Sequence, residues 1–434
     1  MALVRLPHSL RGLPRETFVL ALVAFCVALG FGIVVPAVPL FALEFGVGTT
    51  AAGAVVSAFA LMRLVSGLAG GRLVDRVGER AALLAGLGVV AVSSLMAGLA
   101  VSYPQLLVLR GVGGIGSAVF TIAATSLLLR VAAAAQRGQT QSVYRGGFLL
   151  GGIIGPVFGG AVLGISLRAP FFLYAATLVV AAVVAATMLP KPPPAEVDLP
   201  AIAPGVGEDD GRPTAPEGDG PATAPADGGA SSAADGALAT RTTLRTALAS
   251  PAYRAALAGN FAVGFSVLGV RSTVVPLLVV QQLDLPAGWI GGAFALAALV
   301  QAVLLLPAGK AVDQVGRRPT LVGGGLLTAA SLAALAFAEG PLTLLLAMGV
   351  FGAGAALLGV APAAIVGDVV EGKGGRAVAV WQMASDLGSV LGPVTAGLLI
   401  DRASFLVALL FSATVVALCA LLGLRMPRDL TPSD

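Results

Sequence analysis

Four charged residues stand deep inside long apolar runs of this chain: Arg63, Arg110, Arg271 and Asp386. A charge in apolar surroundings is costly, so each requires a partner or a task. Asp386 is the one carboxylate deep in such a run, whereas Glu44 falls near the end of its own. It lies roughly ten residues, or about 15 Å of helix, into the run. Gln382 at i−4 and Ser389 at i+3 share its helical face. A carboxylate there suits reversible protonation, which would let it carry a coupling proton or pair with a cationic substrate. The structural alternative is an aspartate held ionised by a neighbouring arginine. Arg271 sits near the middle of its run, placed either to partner Asp386 or to receive an anionic group. Arg63 lies about 18 Å along a helix from Asp75. It either reaches an internal cavity or snorkels to the nearer surface.

The elements that carry these residues follow from composition. Of 434 residues, 57% are hydrophobic and 11% are charged, and the mean hydropathy is +0.96. A soluble domain carries about 25% charged residues, so much of this surface must face something other than water. Apolar runs fall near 18–43, 51–70, 81–101, 105–129, 144–165 and 170–189. A second set falls near 252–280, 288–308, 320–338, 341–366, 376–400 and 403–424. Each is about the 20 residues that cross a hydrocarbon core as helix, and none alternates as a barrel strand would. The fold class is therefore an all-α membrane protein with twelve transmembrane helices. The run after Arg5, Arg11 and Arg15 is too long for a signal peptide and is read as a retained first span. Cys26 and Cys419 sit in apolar runs as small hydrophobes. The single histidine, His8, lies outside the spans, so histidine chemistry within the membrane is excluded.

Between the two sets, residues 190–247 are rich in Gly, Ala, Asp, Glu and Pro, as at Glu208-Asp209-Asp210. Such a segment buries too little apolar surface to offset its ordering entropy and is expected to be a disordered linker. It separates an N-terminal bundle, 1–189, from a C-terminal bundle, 248–434. Of the 26 Lys and Arg, only Arg168 and Arg402 fall in odd-numbered connections. The positive-inside rule then places both termini and the linker in the cytoplasm. Topology thus accounts for the net charge of +4, and no nucleic-acid partner is implied.

The two sets are copies. Gly71-Arg72-Leu73-Val74-Asp75-Arg76-Val77-Gly78-Glu79-Arg80 recurs as Gly309-Lys310-Ala311-Val312-Asp313-Gln314-Val315-Gly316-Arg317-Arg318. Gly155-Pro156 matches Gly392-Pro393, Arg110-Gly111-Val112 matches Met348-Gly349-Val350, and Pro36 matches Pro276. An even number of spans separates matched elements, so the halves run parallel. Gly147, Gly151, Gly155 and Gly159 recur every four residues in the fifth run. They form a bare stripe where another helix can approach closely, and Pro156 bends that span. The stripe, with Gly160, is read both as static packing and as a seam across which the halves rock. Phe31, Tyr144 and Trp381 are candidate cavity aromatics, and Trp289 an interface anchor.

Together these motifs resemble the major facilitator superfamily over all twelve spans. The Gly71–Arg80 segment is similar to that superfamily's signature between spans 2 and 3, and its copy to the one between spans 8 and 9. Arg110-x-x-x-Gly114-x-Gly116 resembles the span 4 motif. Gly151-x-x-x-Gly155-Pro156-x-x-Gly159-Gly160 resembles the span 5 motif of proton-coupled antiporters, and Pro36-x-x-Pro39 a feature of the twelve-span drug:proton branch. Glu79, Gln314 and Met348 depart from the usual residues. The resemblance implies two pseudo-symmetric six-helix bundles and alternating access. It also implies a role for Arg110 in proton movement, by setting a neighbouring group's affinity for protons. Gly71, Asp75, Arg76, Gly78 and Arg80, with Gly309, Asp313, Gly316, Arg317 and Arg318, are read as a cytoplasmic gate. The cavity set is Asp386, Arg271, Arg110, Gln382 and Arg63.

No phosphate-binding loop, metal-ligand cluster or Ser-His-Asp set is present, so neither an enzyme nor a bound cofactor is expected. Energy must come from a gradient or from the substrate. The expected function is proton-coupled efflux of small organic or amphipathic molecules by a monomer in the plasma membrane. The alternatives are a symporter or facilitator for a sugar, an organic acid or another metabolite, and a non-transporting scaffold or sensor.

Overall fold

Hydrocarbon offers the backbone no hydrogen-bond partners, so an apolar run must satisfy its own as a helix. A computed structural model describes residues 13–131, 136–190, 244–370 and 375–427. Among them, twelve helices are long and apolar enough to cross a membrane. Spans 1 to 6 are Arg15–Leu43, Thr49–Gly67, Glu79–Gly98, Tyr103–Val131, Gln139–Leu163 and Ala169–Met188. Spans 7 to 12 are Pro251–Gln282, Gly288–Gln314, Arg317–Ala336, Pro341–Val369, Arg376–Arg402 and Phe405–Arg425. Large side chains such as Val92, Val108, Leu306 and Leu346 remain exposed on the outside, as a lipid-facing surface requires. Most of the expected linker, 191–243, lies outside the described residues. Its last four positions, 244–247, instead belong to a short helix, Leu244–Ala249, ahead of span 7.

The helices end where the backbone must leave αR. The helix of span 2 runs on to Val77 and stops at Gly78, whose φ of 82° only glycine adopts freely. Span 8 likewise ends just before Gly316, with φ of 108°. Gly71, Asp75 and Arg76 are therefore helical, and Gly71 has open space where a Cβ would stand. Pro36 interrupts span 1 between Val34 and Ala37. Span 7 widens to π-helix over Gly264–Val270, beside span 11.

Packing repeats with the sequence. Span 1 lies on spans 5 and 6, span 2 on span 4, and span 3 on spans 4 and 6. In the second half, span 7 lies on spans 11 and 12 and also on span 10, span 8 on span 10, and span 9 on spans 10 and 12. The glycine stripe of span 5 faces span 1 of its own half. A Cβ on Gly151 would stand 2.5 Å from the Phe25 carbonyl oxygen, and one on Gly155 2.5 Å from that of Leu29. The rocking-seam reading is thus corrected for Gly147, Gly151, Gly155 and Gly159, because the stripe cements span 1 to span 5. Only Gly160 reaches the other half, where any side chain would strike the backbone of Gly291 in span 8. Gly388 and Gly392 repeat the stripe against Phe261 and Phe265 of span 7.

Spans 2 and 11, and spans 5 and 8, join the halves. Away from the linker, Gly48 caps the span 2 helix and offers no capping side chain. Asp401, at the end of span 11, does that work across the interface. Its carboxylate accepts from the Thr49 and Thr50 amides at 2.9 and 2.8 Å and lies 2.7 and 2.6 Å from their hydroxyls. A Cβ at Gly48 would stand 2.9 Å from that carboxylate, which explains the glycine. Ser57 adds a hydrogen bond to the Val390 carbonyl, 2.6 Å.

On the linker face the described ion pairs stay within one half. Arg130 pairs with Glu79 at 2.9 Å, and Arg317 with Asp368 at 2.8 Å and Asp313 at 3.0 Å. Glu79 and Arg317 are repeat mates, as are Arg130 and Asp368. The same bridge, from the start of the third helix of a half to the end of its fourth, is therefore built with reversed charges. Glu79 departs from the family signature because its partner is an arginine.

Two outcomes test this packing. Gly151→Ala should lower the unfolding midpoint in detergent, through overpacking of roughly 1–3 kcal/mol. Gly146→Ala should leave it level or raise it, because Gly146 has open space and alanine is the better helix former by roughly 1 kcal/mol. Asp401→Ala should separate the faces opposite the linker. Spin labels at the exposed positions Glu44 and Ala403, in a background without Cys26 and Cys419, should show a longer-distance population.

Candidate functional site

Between the halves lies a cavity bounded by spans 1, 2, 4, 5, 7, 8, 10 and 11. The part among Phe31, Arg63, Phe148, Arg271 and Phe294 has a volume of about 400 Å³. That accommodates a drug-sized molecule, whose sites run roughly 300–1,000 Å³. All five expected cavity residues border the space: Arg63, Arg110, Arg271, Gln382 and Asp386.

The charges are arranged differently from the expectation. Asp386 pairs with Arg63 through Oδ1 and Nη2, joining span 11 to span 2. Arg271 is not its partner. Both members of the pair are partly exposed to the cavity, at 31% and 21%, so water and protons reach them. Arg63 therefore belongs to the cavity and does not snorkel. Ser389, on the same stripe as Asp386, is buried beside Arg63 and Arg110. Its hydroxyl lies 2.9 Å from the Ser385 carbonyl and 3.4 Å from that of Gly264 in the π-helical stretch of span 7. Gln382 stays exposed to the cavity.

Arg110 is almost wholly buried, at 5% exposure. Its guanidinium lies 4.7 Å from the Phe59 ring centroid. Gly114, four residues on, has the Phe59 carbonyl where a side chain would go. The glycines of the span 4 motif thus let spans 2 and 4 close until arginine and ring meet. Arg271 lies between two rings of its own, C-terminal half, 5.0 Å from Phe294 and 5.5 Å from Phe351. Neither Arg110 nor Arg271 has an ion-pair or hydrogen-bond partner among the described residues, and the Nε of each is buried without an acceptor.

The walls are aromatic. Phe31 packs with Phe59 at 5.9 Å and Tyr174 at 6.3 Å, and Tyr144 with Phe148 at 5.3 Å. Phe31 and Tyr144 line the cavity as expected. Trp381 packs against the apolar core, and its backbone carbonyl accepts from Asn260 at 2.6 Å. The expected gate residues lie at the linker-face ends of the helices, away from the cavity, and Asp75 and Arg76 are exposed there. Sequence reasoning missed Phe59, Phe294 and Asp401. A signal for Asp401 exists: a carboxylate in the last turn of a helix opposes the macrodipole, which points to a partner elsewhere.

These features agree with comparisons to known proteins. A family model described as Major Facilitator Superfamily matches residues 20–296 and 257–433. Quinolone resistance protein NorA of Staphylococcus aureus strain MRSA252 is 28% identical over 182 residues, 41% of this chain and 46% of that protein. Multidrug resistance protein 2 of Bacillus subtilis strain 168 is 30% identical over 165 residues, 38% of this chain and 41% of that protein. These alignments span less than half the length of either relative. A POT family transporter crystallised with 5-aminolevulinic acid superposes with TM-score 0.72 at 13% identity, covering 97% of this chain and 98% of its own. A bacterial homologue of the human lysosomal transporter Spinster, inward-facing and occupied, gives 0.69 at 14%, covering 94% and 95%. At such identities the structures establish the fold, and together with the family match they show that this chain belongs to the Major Facilitator Superfamily.

Proposed function

We propose that this protein is a secondary active transporter that exports small organic or amphipathic molecules in exchange for protons, by alternating access. The Arg63–Asp386 pair carries the proposal. It joins the halves inside the cavity and is breakable by a proton. Protonation of Asp386 removes its charge, frees Arg63 and weakens one inter-half contact. The two bacterial relatives are named for resistance to quinolones and to multiple drugs, which supports export of drug-like compounds.

The closed face, with Asp401 on span 2 and Gly160 on Gly291, together with linker-face ion pairs confined to single halves, supports an inward-facing state. This orientation takes the termini and linker as cytoplasmic and the membrane as the plasma membrane. When the outer face opens, Asp75 at the end of span 2 acts on the inner face as Asp401 does on the outer. The Gly71–Arg80 and Gly309–Arg318 segments then form the gate. The protein works as a monomer, without catalysis, a cofactor or nucleic acid.

In proteoliposomes with an imposed pH gradient, a quinolone should move uphill against the proton flow. Asp386→Asn should reduce this uphill flux by about tenfold or more, about 1.4 kcal/mol of coupling, while substrate exchange without a gradient persists. Uphill flux at the wild-type rate would remove Asp386 from proton coupling. Absence of any flux in the wild-type protein would favour a scaffold or sensor.

A further inference from the structure

Once Asp386 is paired with Arg63, the charge left in the cavity is positive. Its described lining includes Arg110 and Arg271 with no facing carboxylate, and Arg145 stands at its linker-side mouth. Arg271 is the informative member. It lies on the π-interrupted span 7, outside every motif that carries the superfamily resemblance. Two ring faces, Phe294 and Phe351, hold its charge in place. Ring contact stabilises the cation but gives its five N–H donors no acceptor. Arg110 repeats the arrangement over Phe59 from the opposite half. A guanidinium without its anion in apolar surroundings is an incomplete site, and the planar fork suits a carboxylate or a similar oxyanion. Phe31, Phe120, Phe148 and Tyr174 line the same cavity as Arg271 and supply flat apolar contact. A cationic guest would find its only described counter-charge already taken and two free arginines nearby.

We propose that the cavity selects amphipathic organic anions, with an aromatic body held by the phenylalanine walls and an oxyanion held by Arg271. The substrate class rests on the transporter reading, but binding and flux are separable. The test is calorimetric binding to the full chain in nanodiscs, with three probes of one shape: 1-naphthoate, 1-naphthalenemethanol and 1-naphthylmethylammonium. Naphthoate should bind about tenfold or more tighter than either of the others. Arg271→Gln should weaken naphthoate by about tenfold while changing the neutral alcohol by less than about threefold. The alcohol also reports that the variant is folded, and Arg271→Lys should retain part of the anion preference.

Ammonium binding as tight as naphthoate would overturn the proposal. So would naphthoate affinity unchanged in Arg271→Gln, or no naphthoate binding up to about 1 mM. Naphthoate binding with the expected preference but no flux in vesicles would leave the inference standing and remove the transport reading. Flux with a preference for cations would do the reverse.

Discussion

A carboxylate between two helical bundles in a membrane has two low-energy options: it can be protonated, or it can be paired. Asp386 takes the second, and the partner is in the other half. That choice fixes much else. Span 2 must bring Arg63 to the level of span 11, so the two helices run against each other from the face opposite the linker to the cavity. Glycines must remove the side chains in their way, as Gly53 and Gly397 do where they meet the backbones of Pro393 and Thr49. The pair is exposed enough to exchange protons and enclosed enough for its charge to matter. A purely structural bridge would be better placed in the packed interior of one half.

Where spans 2 and 11 and spans 5 and 8 join the halves, the described contacts include hydrogen bonds and glycines set against backbone. Asp401 on the amides of span 2 is a helix cap shared by two bodies, of the kind worth about 1 kcal/mol. Such contacts break singly without unfolding either bundle. The glycine stripes do the opposite. By holding span 1 to span 5 and span 7 to span 11, they make each half rigid enough to move as a unit. Rigid halves joined by weak, separable contacts are what rocking about a central site requires.

Much of the architecture was legible in the sequence because run length and charge placement are strong constraints. The twelve spans agree with the predicted runs to within a few residues at most ends. Span 5 starts earlier, and span 2 continues as helix through Asp75, because charged residues at a membrane surface end an apolar run without ending a helix. The repeat was legible too, and it explains the reversed pair Glu79–Arg130 and Arg317–Asp368. Partnership was not. Periodicity shows that Gly147 to Gly159 share a face, but not that the face meets span 1. Hydropathy shows Asp386 and three arginines within apolar runs, but not which arginine reaches it. Arg271 seemed a natural partner by depth, yet it belongs to Phe294 and Phe351. Choices among helices depend on how the bundles are rotated, and a single sequence leaves that rotation open.

The central claim is that Arg63 and Asp386 act as one unit that ties the halves together until a proton arrives. A double-mutant cycle tests it directly. Spin-label distances across the linker face would be measured as a function of pH for the wild type, Arg63→Gln, Asp386→Asn and the double variant. The account predicts that each single change abolishes the pH-dependent shift in populations and that the double variant resembles either single one, with a coupling energy of roughly 0.5–3 kcal/mol. Additive effects, or a wild-type pH response in Asp386→Asn, would contradict it.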